Sequence, residues 1–130
     1  MLRPHARLLL SAAALALVSC SGGTGASAPE AAATGEPGED GVLEVTGTDN
    51  LQWDPPALTA PAGEVRFRLV CADRVNHNLV IDADGDRTTV AECGPGGEDD
   101  GTLDLGVGEY TFVCTIPGHE SSMRGPLTVG

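Results

Sequence analysis

Strict alternation of apolar and charged residues in one segment constrains the fold more than any other feature. Residues 64–70 have the sequence EVRFRLV, which would put Val65, Phe67 and Leu69 on one face of a strand and two arginines on the other. A period of two residues predicts a half-buried β-strand. Further short runs rich in strand-forming residues lie at 42–46, 57–60, 79–81, 88–90, 103–105, 110–114 and 127–129.

Turn-forming residues separate these runs. The chain has 18 Gly and 9 Pro, a composition that favours short strands joined by turns, and no stretch of the globular part shows a convincing helical period. Together these observations predict an all-β, antiparallel sandwich of about seven to eight strands.

The N-terminus has the features of an export signal, predicted for residues 1–19. Arg3 and Arg7 precede an apolar run, Leu8 to Val18, that is too short to span a bilayer as a helix. The run ends in the sequence LVSC, which resembles the bacterial lipobox. An ordinary secretory signal is the alternative, but no A-x-A cleavage site precedes Cys20. We therefore expect a lipoprotein whose Cys20 is lipidated and anchors the chain at the extracytoplasmic face of the cell membrane.

A segment without core-forming residues follows the predicted signal. Residues 20–41 contain the lipidated Cys and then Gly, Ser, Ala, Thr, Pro and acidic residues, with no Leu, Ile, Val or aromatic residue. This composition predicts a flexible acidic linker. The globular domain is then expected to occupy residues 42–130.

The charge of the chain excludes one class of partner. Seven Arg and no Lys stand against 19 Asp and Glu, which gives a formal net charge of -12. Nucleic-acid binding requires a basic surface, so we expect no nucleic-acid partner.

Metal-binding chemistry is concentrated in the segment CTIPGHESSM, which begins at Cys114 and has the spacing C-x4-H-x3-M. His119 and Met123 follow Cys114 in this segment, and His77 lies upstream in the sequence NHNLV. The other His and the other Met of the chain lie in the predicted signal. A soft thiolate, two imidazoles and a weak thioether are the donors of a blue copper centre. Zinc is the alternative metal, but a thioether is a poor zinc ligand. The pattern therefore predicts one copper ion.

The segment Val42 to Gly130 resembles the cupredoxin family of small blue copper proteins, which includes azurins, auracyanins and plastocyanins. The sequence NLQWDP at 50–55 and the PAG turn at 61–63 resemble the early strands of the family, and GEYTFVC at 108–114 resembles its penultimate strand. The loop from Cys114 to Gly125 is similar to that of azurins and auracyanins. This resemblance implies a Greek-key β-sandwich.

The resemblance also implies a role for each site residue. His77, Cys114 and His119 would be equatorial copper ligands and Met123 the axial ligand. Asn78 matches a family asparagine whose side chain hydrogen-bonds the residue after the cysteine, here Thr115. One departure is Asn76, which stands where azurins have a glycine whose carbonyl approaches the metal, so a fifth ligand is doubtful.

Two cysteines remain once Cys20 is lipidated and Cys114 binds copper. Outside the cytoplasm, Cys71 and Cys93 are then expected to form a disulfide. A binuclear copper site is the alternative, but it requires a second cysteine in the C-terminal loop, which has none.

Two acidic runs need no metal. Residues 82–86, DADGD, suggest a calcium loop, but Arg87 occupies the position where an EF-hand requires glycine. We expect a solvated acidic turn there, and a solvated loop at Glu98 to Asp100.

Four protein ligands would leave no open coordination position for a substrate, so the sequence predicts a one-electron carrier and not an enzyme. The ring edge of His119 is expected to be the electron port, inside an apolar rim formed by Ile116, Pro117, Met123 and Pro126. The partner would be a redox protein, such as a cytochrome, an oxidase or a reductase, and the chain itself a monomer. The alternative function is an extracytoplasmic copper carrier or store without electron transfer.

Overall fold

The computed structural model of the chain describes residues 32–72 and 74–130. The predicted signal, Cys20 and most of the predicted linker lie outside the described residues. The described part contains no helix, and therefore none long and apolar enough to cross a membrane. It consists of the strands β1 (Thr34–Gly35), β2 (Val42–Gly47), β3 (Trp53–Asp54), β4 (Ala57–Ala60), β5 (Gly63–Cys71), β6 (His77–Ala83), β7 (Asp86–Cys93), β8 (Glu98–Leu105), β9 (Gly108–Val113) and β10 (Arg124–Val129).

The strands form two sheets around one core. The first sheet has the order β1-β4-β10-β9-β6-β7 and the second the order β3-β2-β5-β8. Apolar residues from both sheets form a single buried cluster, which confirms the all-β sandwich. The expectation of an antiparallel sandwich is wrong in part, because β1 and β4, β4 and β10, and β2 and β5 pair in parallel. None of these pairs is joined by a hairpin, and strands that meet after a longer crossover can run in the same direction.

Strand β5 shows how the alternating pattern produces the core. Val65, Phe67 and Leu69 are at most 3% exposed, whereas Arg66 is exposed. Strand β5 pairs with β2 on one side and β8 on the other, so its apolar face lies at the centre of the second sheet. The predicted half-buried strand is confirmed.

Two segments differ from the sequence-based expectation. The acidic run Glu98 to Asp100 begins strand β8 and is not a loop, since Asp100 pairs with Arg68 of β5 and their side chains form a salt bridge of 2.8 Å. Strand Thr34–Gly35 lies in the stretch predicted as a linker and pairs with Ala57 and Leu58. The fold therefore extends N-terminal of Val42.

The acidic run at residues 82–86 forms a turn, as expected. Asp84 and Gly85 have φ angles of 53° and 98°, the left-handed values of a type I′ turn, and they join β6 to β7. Asp82 accepts a hydrogen bond from the backbone N–H of Gly85 and pairs with Arg87 at 2.8 Å. These contacts account for Asp82, and the other two carboxylates of the run, Asp84 and Asp86, are exposed to solvent.

The pairing of β6 with β9 brings the predicted ligands together. Val80 lies opposite Val113 in this antiparallel pair. His77 begins β6 three residues before Val80, and Cys114 directly follows Val113. The start of β6 and the loop between β9 and β10 are therefore neighbours at one end of the sandwich.

Candidate metal centre

The loop of residues 114–123 joins β9 to β10 and carries three of the predicted ligands. Its two ends are tied together, because the backbone N–H of Cys114 donates to the carbonyl of Met123 at 2.9 Å. Within the loop, His119 donates to the carbonyl of Ile116 at 3.0 Å, and Met123 donates to the carbonyl of His119 at 2.9 Å. Gly118, with φ of 89°, allows the tight turn before His119. These backbone contacts therefore fix the Cα positions of the three predicted ligands in the loop.

The fourth predicted ligand, His77, comes from the first position of β6. The ligand atoms of His77, Cys114 and His119 all lie within 4.8 Å of one another. The Sγ atom of Cys114 is 3.7 Å from Nδ1 of His119, and the two imidazole centroids are 5.3 Å apart. Met123 is fully buried in the same loop. His77, Cys114, His119 and Met123 are thus positioned as a possible site for a single copper ion.

Burial differs among these residues in a way that matters for function. Cys114 and Met123 are 0% exposed and His77 is 1% exposed, whereas His119 is only half-buried. The expectation that Met123 belongs to an apolar surface rim is therefore wrong, because its side chain is inside the protein. Ile116 is half-buried.

Asn78 connects β6 to the loop by two hydrogen bonds. Its Nδ2 donates to Oγ1 of Thr115 at 2.9 Å, and its Oδ1 accepts from the backbone N–H of Thr115 at 2.8 Å. This is the contact that the family resemblance implies. It holds the residue beside His77 against the residue beside Cys114.

The predicted disulfide between Cys71 and Cys93 is confirmed. Cys71 ends β5 in the second sheet, and Cys93 ends β7 in the first sheet. Cys93 also lies opposite His77 in the pairing of β6 with β7. The disulfide therefore joins the two sheets at the end of the sandwich that carries the candidate metal centre.

The positively charged side chain of Arg87 lies between the loop of residues 114–123 and the hairpin formed by β6 and β7. The guanidinium of Arg87 contacts Asp82 at 2.8 Å and Glu120 at 2.7 Å. The Arg87 hydrogen bond lowers the pKa of the Glu120 carboxyl below its usual value. The pKa of Asp82 is lowered chiefly by the Gly85 N–H and then by Arg87. The Glu120 side chain is 40% exposed, so solvent screens its contact with Arg87 and that contact contributes little stability, whereas the Asp82 side chain is only 12% exposed.

Gly47 and Trp53 are two neighbours of His77 that the sequence-based predictions missed as site residues. The indole centroid of Trp53 is 6.1 Å from the imidazole centroid of His77, and the inner face of Gly47 abuts the same imidazole. Both belong to the second sheet, far from His77 along the chain. No local pattern marks them, because only the packing of one sheet on the other makes them neighbours.

The donors present fit copper. A thiol and two imidazoles converge in a buried space with no carboxylate among them, and a buried thioether is available from Met123. Hard cations such as Ca²⁺ and Mg²⁺ require oxygen ligands, which this group lacks. Two imidazoles, one thiolate and a thioether are the set that type 1 copper prefers.

Comparison with known proteins agrees with this assignment. Residues 40–130 match the family model of copper-binding proteins of the plastocyanin/azurin family. No curated protein matches the chain. Auracyanin A, a blue copper protein from the green thermophilic photosynthetic bacterium Chloroflexus aurantiacus, is similar in structure, with a TM-score of 0.59 and 23% identity over 68% of this chain and 98% of its own.

Two other solved structures show the same fold. An azurin from the obligate methylotroph Methylomonas sp. strain J has a TM-score of 0.55 and 20% identity, over 68% of this chain and 97% of its own. A Cu(I) amicyanin variant has a TM-score of 0.55 and 18% identity, over 70% of this chain and 84% of its own. At these identities the structural likeness shows the fold, and the family model shows the relationship.

Proposed function

The chain belongs to the plastocyanin/azurin family of copper-binding proteins, and from this premise we propose that it is a blue copper protein that carries single electrons. The proposal rests on the convergence of His77, Cys114 and His119, whose ligand atoms lie within 4.8 Å of one another. Copper held by these residues and by Met123 would supply one-electron exchange between Cu(I) and Cu(II). Four protein donors leave no position for a substrate, which favours a carrier over an enzyme.

The surrounding residues are suited to keeping the donors in place. Burial of His77, Cys114 and Met123 excludes water from three of the four. The paired hydrogen bonds between Asn78 and Thr115 hold the β6 donor against the loop donors. Donor atoms that keep their positions whether the copper is Cu(I) or Cu(II) require little rearrangement when an electron is transferred. Electron exchange is then rapid.

The ring edge of His119 is the proposed port for electrons, because His119 is the only half-buried member of the predicted ligand set. Ile116 and Pro117 precede it in the loop and contribute apolar surface, half-buried and exposed respectively. A small apolar surface beside a conducting ligand suits brief docking.

The proposed partner is a basic redox protein, such as a cytochrome, an oxidase or a reductase. The excess of acidic residues, which gives a formal net charge of -12 over all 130 residues, would attract such a partner over a distance, and the association rate would fall as the salt concentration rises. The same charge disfavours nucleic acid. Among the described residues only Val75 and Val107 are large apolar residues classed as exposed, which supports the proposal of a monomer.

We also propose that the protein is held at the outer face of the cell membrane by lipidated Cys20, after removal of residues 1–19, and that residues 20–41 act mainly as a tether. The support is the sequence LVSC after an apolar run. Cells that express the full chain should incorporate labelled palmitate into it, and Cys20→Ser should abolish the label. Equal labelling of both forms would contradict the anchor.

Direct electrochemistry of the copper-loaded chain tests the carrier function. We expect a reversible one-electron wave, and Met123→Leu should raise its potential because the axial ligand tunes it. Leu58→Met, a change of similar size at another buried position, serves as the control and should leave the potential unchanged. An irreversible wave, with the metal retained only as Cu(I), would favour a copper carrier or store instead.

A further inference from the structure

The inner face of the second sheet carries a row of three residues beside the candidate metal centre. Trp53 of β3 lies opposite Gly47 of β2, and Gly47 lies opposite Cys71 of β5. All three are buried. Register partners on neighbouring strands project to the same face, so Gly47 leaves a gap between an indole and a disulfide sulfur.

The imidazole of His77 fills this gap. A methyl group built on Gly47 would overlap Cδ2 of His77 and lie 2.8 Å from both Cγ and Nε2. The φ angle of Gly47 is outside the left-handed region, so the backbone itself could accept any residue. The His77 ring, and not the main chain, therefore requires glycine at this position.

Trp53 and the disulfide, the two walls of this gap, both lie close to His77. The Trp53 and His77 rings are 6.1 Å apart and tilted by 55°. Cys93, bonded to Cys71, lies opposite His77 in the neighbouring strand pair. Because the ring turns its Cδ2 edge toward Gly47, Nδ1 lies on the edge that faces away from that glycine. We call Gly47, Trp53 and the disulfide of Cys71 and Cys93 the His77 slot.

We propose that Gly47 is a positioning residue for His77, and that the His77 slot fixes the orientation of the imidazole before any metal binds. The inference rests on the proposed function in one respect, since the orientation matters for a metal ligand. A side chain at position 47 would displace the ring and move its ligand nitrogen, which lies within 4.8 Å of the ligand atoms of Cys114 and His119. Metal binding would then require the imidazole to move back into contact with the new side chain, so the metal affinity would fall.

A double-mutant cycle on the metal-free full chain tests the contact itself. Gly47→Ala should lower the urea midpoint of unfolding in the wild-type background. It should have little effect in the His77→Ala background, where the added methyl finds the space of the missing ring. Gly35→Ala is the matched control, because its methyl would also meet only side-chain atoms, Cγ of Pro55 at 2.5 Å and Cδ2 of Leu58 at 2.9 Å, and neither contact involves His77. This control should lower the midpoint equally in both backgrounds.

Titration with Co(II) and Cu(II) tests the consequence for the site. Gly47→Ala should weaken metal binding by about tenfold or more, as expected when an added methyl strains a packed position. Gly35→Ala should bind metal as the wild type does, because its strain is the same with and without metal. The Gly47→Ala spectrum should also shift, since one ligand enters at a different angle.

The results of these experiments test the His77 slot and the proposed function separately. Should Gly47→Ala be too unstable to fold alone, a Gly47→Ala/His77→Ala variant as stable as His77→Ala still supports the slot. Equal loss of stability from Gly47→Ala in both backgrounds overturns it, as does unchanged metal affinity in a folded variant. A wild-type chain that forms no copper site refutes the proposed function, and the metal-free cycle then still supports or overturns the slot by itself.

Discussion

The two hydrogen bonds between Asn78 and Thr115 give the most quantitative prediction. Asn78→Ala removes both bonds, at 2.8 and 2.9 Å, in a partly buried position. At about 1 kcal/mol net for each bond, the free energy of unfolding should fall by about 2 kcal/mol. For a domain of this size that loss corresponds to a melting temperature lower by roughly 10 °C. Far-UV circular dichroism of the metal-free chain at pH 7 measures it.

A second variant separates the two bonds. Thr115→Val removes only the bond to Oγ1, keeps the backbone N–H bond to Asn78, and should cost about 1 kcal/mol. The double variant should cost about as much as Asn78→Ala alone, which gives a coupling energy of about 1 kcal/mol. Asn50→Ala, at an exposed position with only local contacts, should change stability by less than about 0.5 kcal/mol. Strict additivity of Asn78→Ala and Thr115→Val would refute this reasoning.

Three further predictions concern the disulfide, the acidic hairpin and the core. Replacing Cys71 and Cys93 by alanine should lower stability by about 3 kcal/mol, and a reductant should bring the wild type to the same urea midpoint; insensitivity to the reductant would contradict a structural disulfide. The lowered pKa of Asp82 means that its carboxylate stabilises the hairpin above the unfolded pKa of about 3.9, and that this contribution is lost as the pH falls through the lower folded pKa. Asp82→Asn should therefore make the free energy of unfolding depend less on pH below about pH 4. An NMR titration of the Asp82 carboxyl with a midpoint above about 3.9 would contradict the lowered pKa. Leu79→Ala, at a 0% exposed position, should cost about 2–5 kcal/mol in urea unfolding, and a cost under about 1 kcal/mol would show that it lies outside the core.

The convergence of the candidate donors could be predicted from the sequence because three of the four side chains lie on one short loop. The spacing of Cys114, His119 and Met123 reflects local backbone geometry, and the scarcity of His and Met elsewhere leaves His77 as the remaining donor. Strand β5 could be predicted equally well, since the alternation of apolar and charged residues shows which face of a strand is buried.

Properties that depend on pairing between distant strands could not be predicted. The parallel pairing of β2 with β5 and the strand character of Glu98 to Asp100 depend on which strands become neighbours. The role of Gly47 depends on the packing of one sheet against the other. The burial of Met123 could not be predicted, because a residue in a loop is expected to be exposed unless the packing around the loop is known.

Addition of one equivalent of Cu(II) to the full chain tests the central claim most directly, with Cys114→Ser as the comparison. The convergence of Cys114 with His77 and His119 predicts an intense visible absorption band from thiolate-to-copper charge transfer, saturating at one copper per chain. The serine variant should bind more weakly and stay nearly colourless. A wild type that forms no stable coloured species, or a serine variant with the same band, would contradict the proposed copper centre.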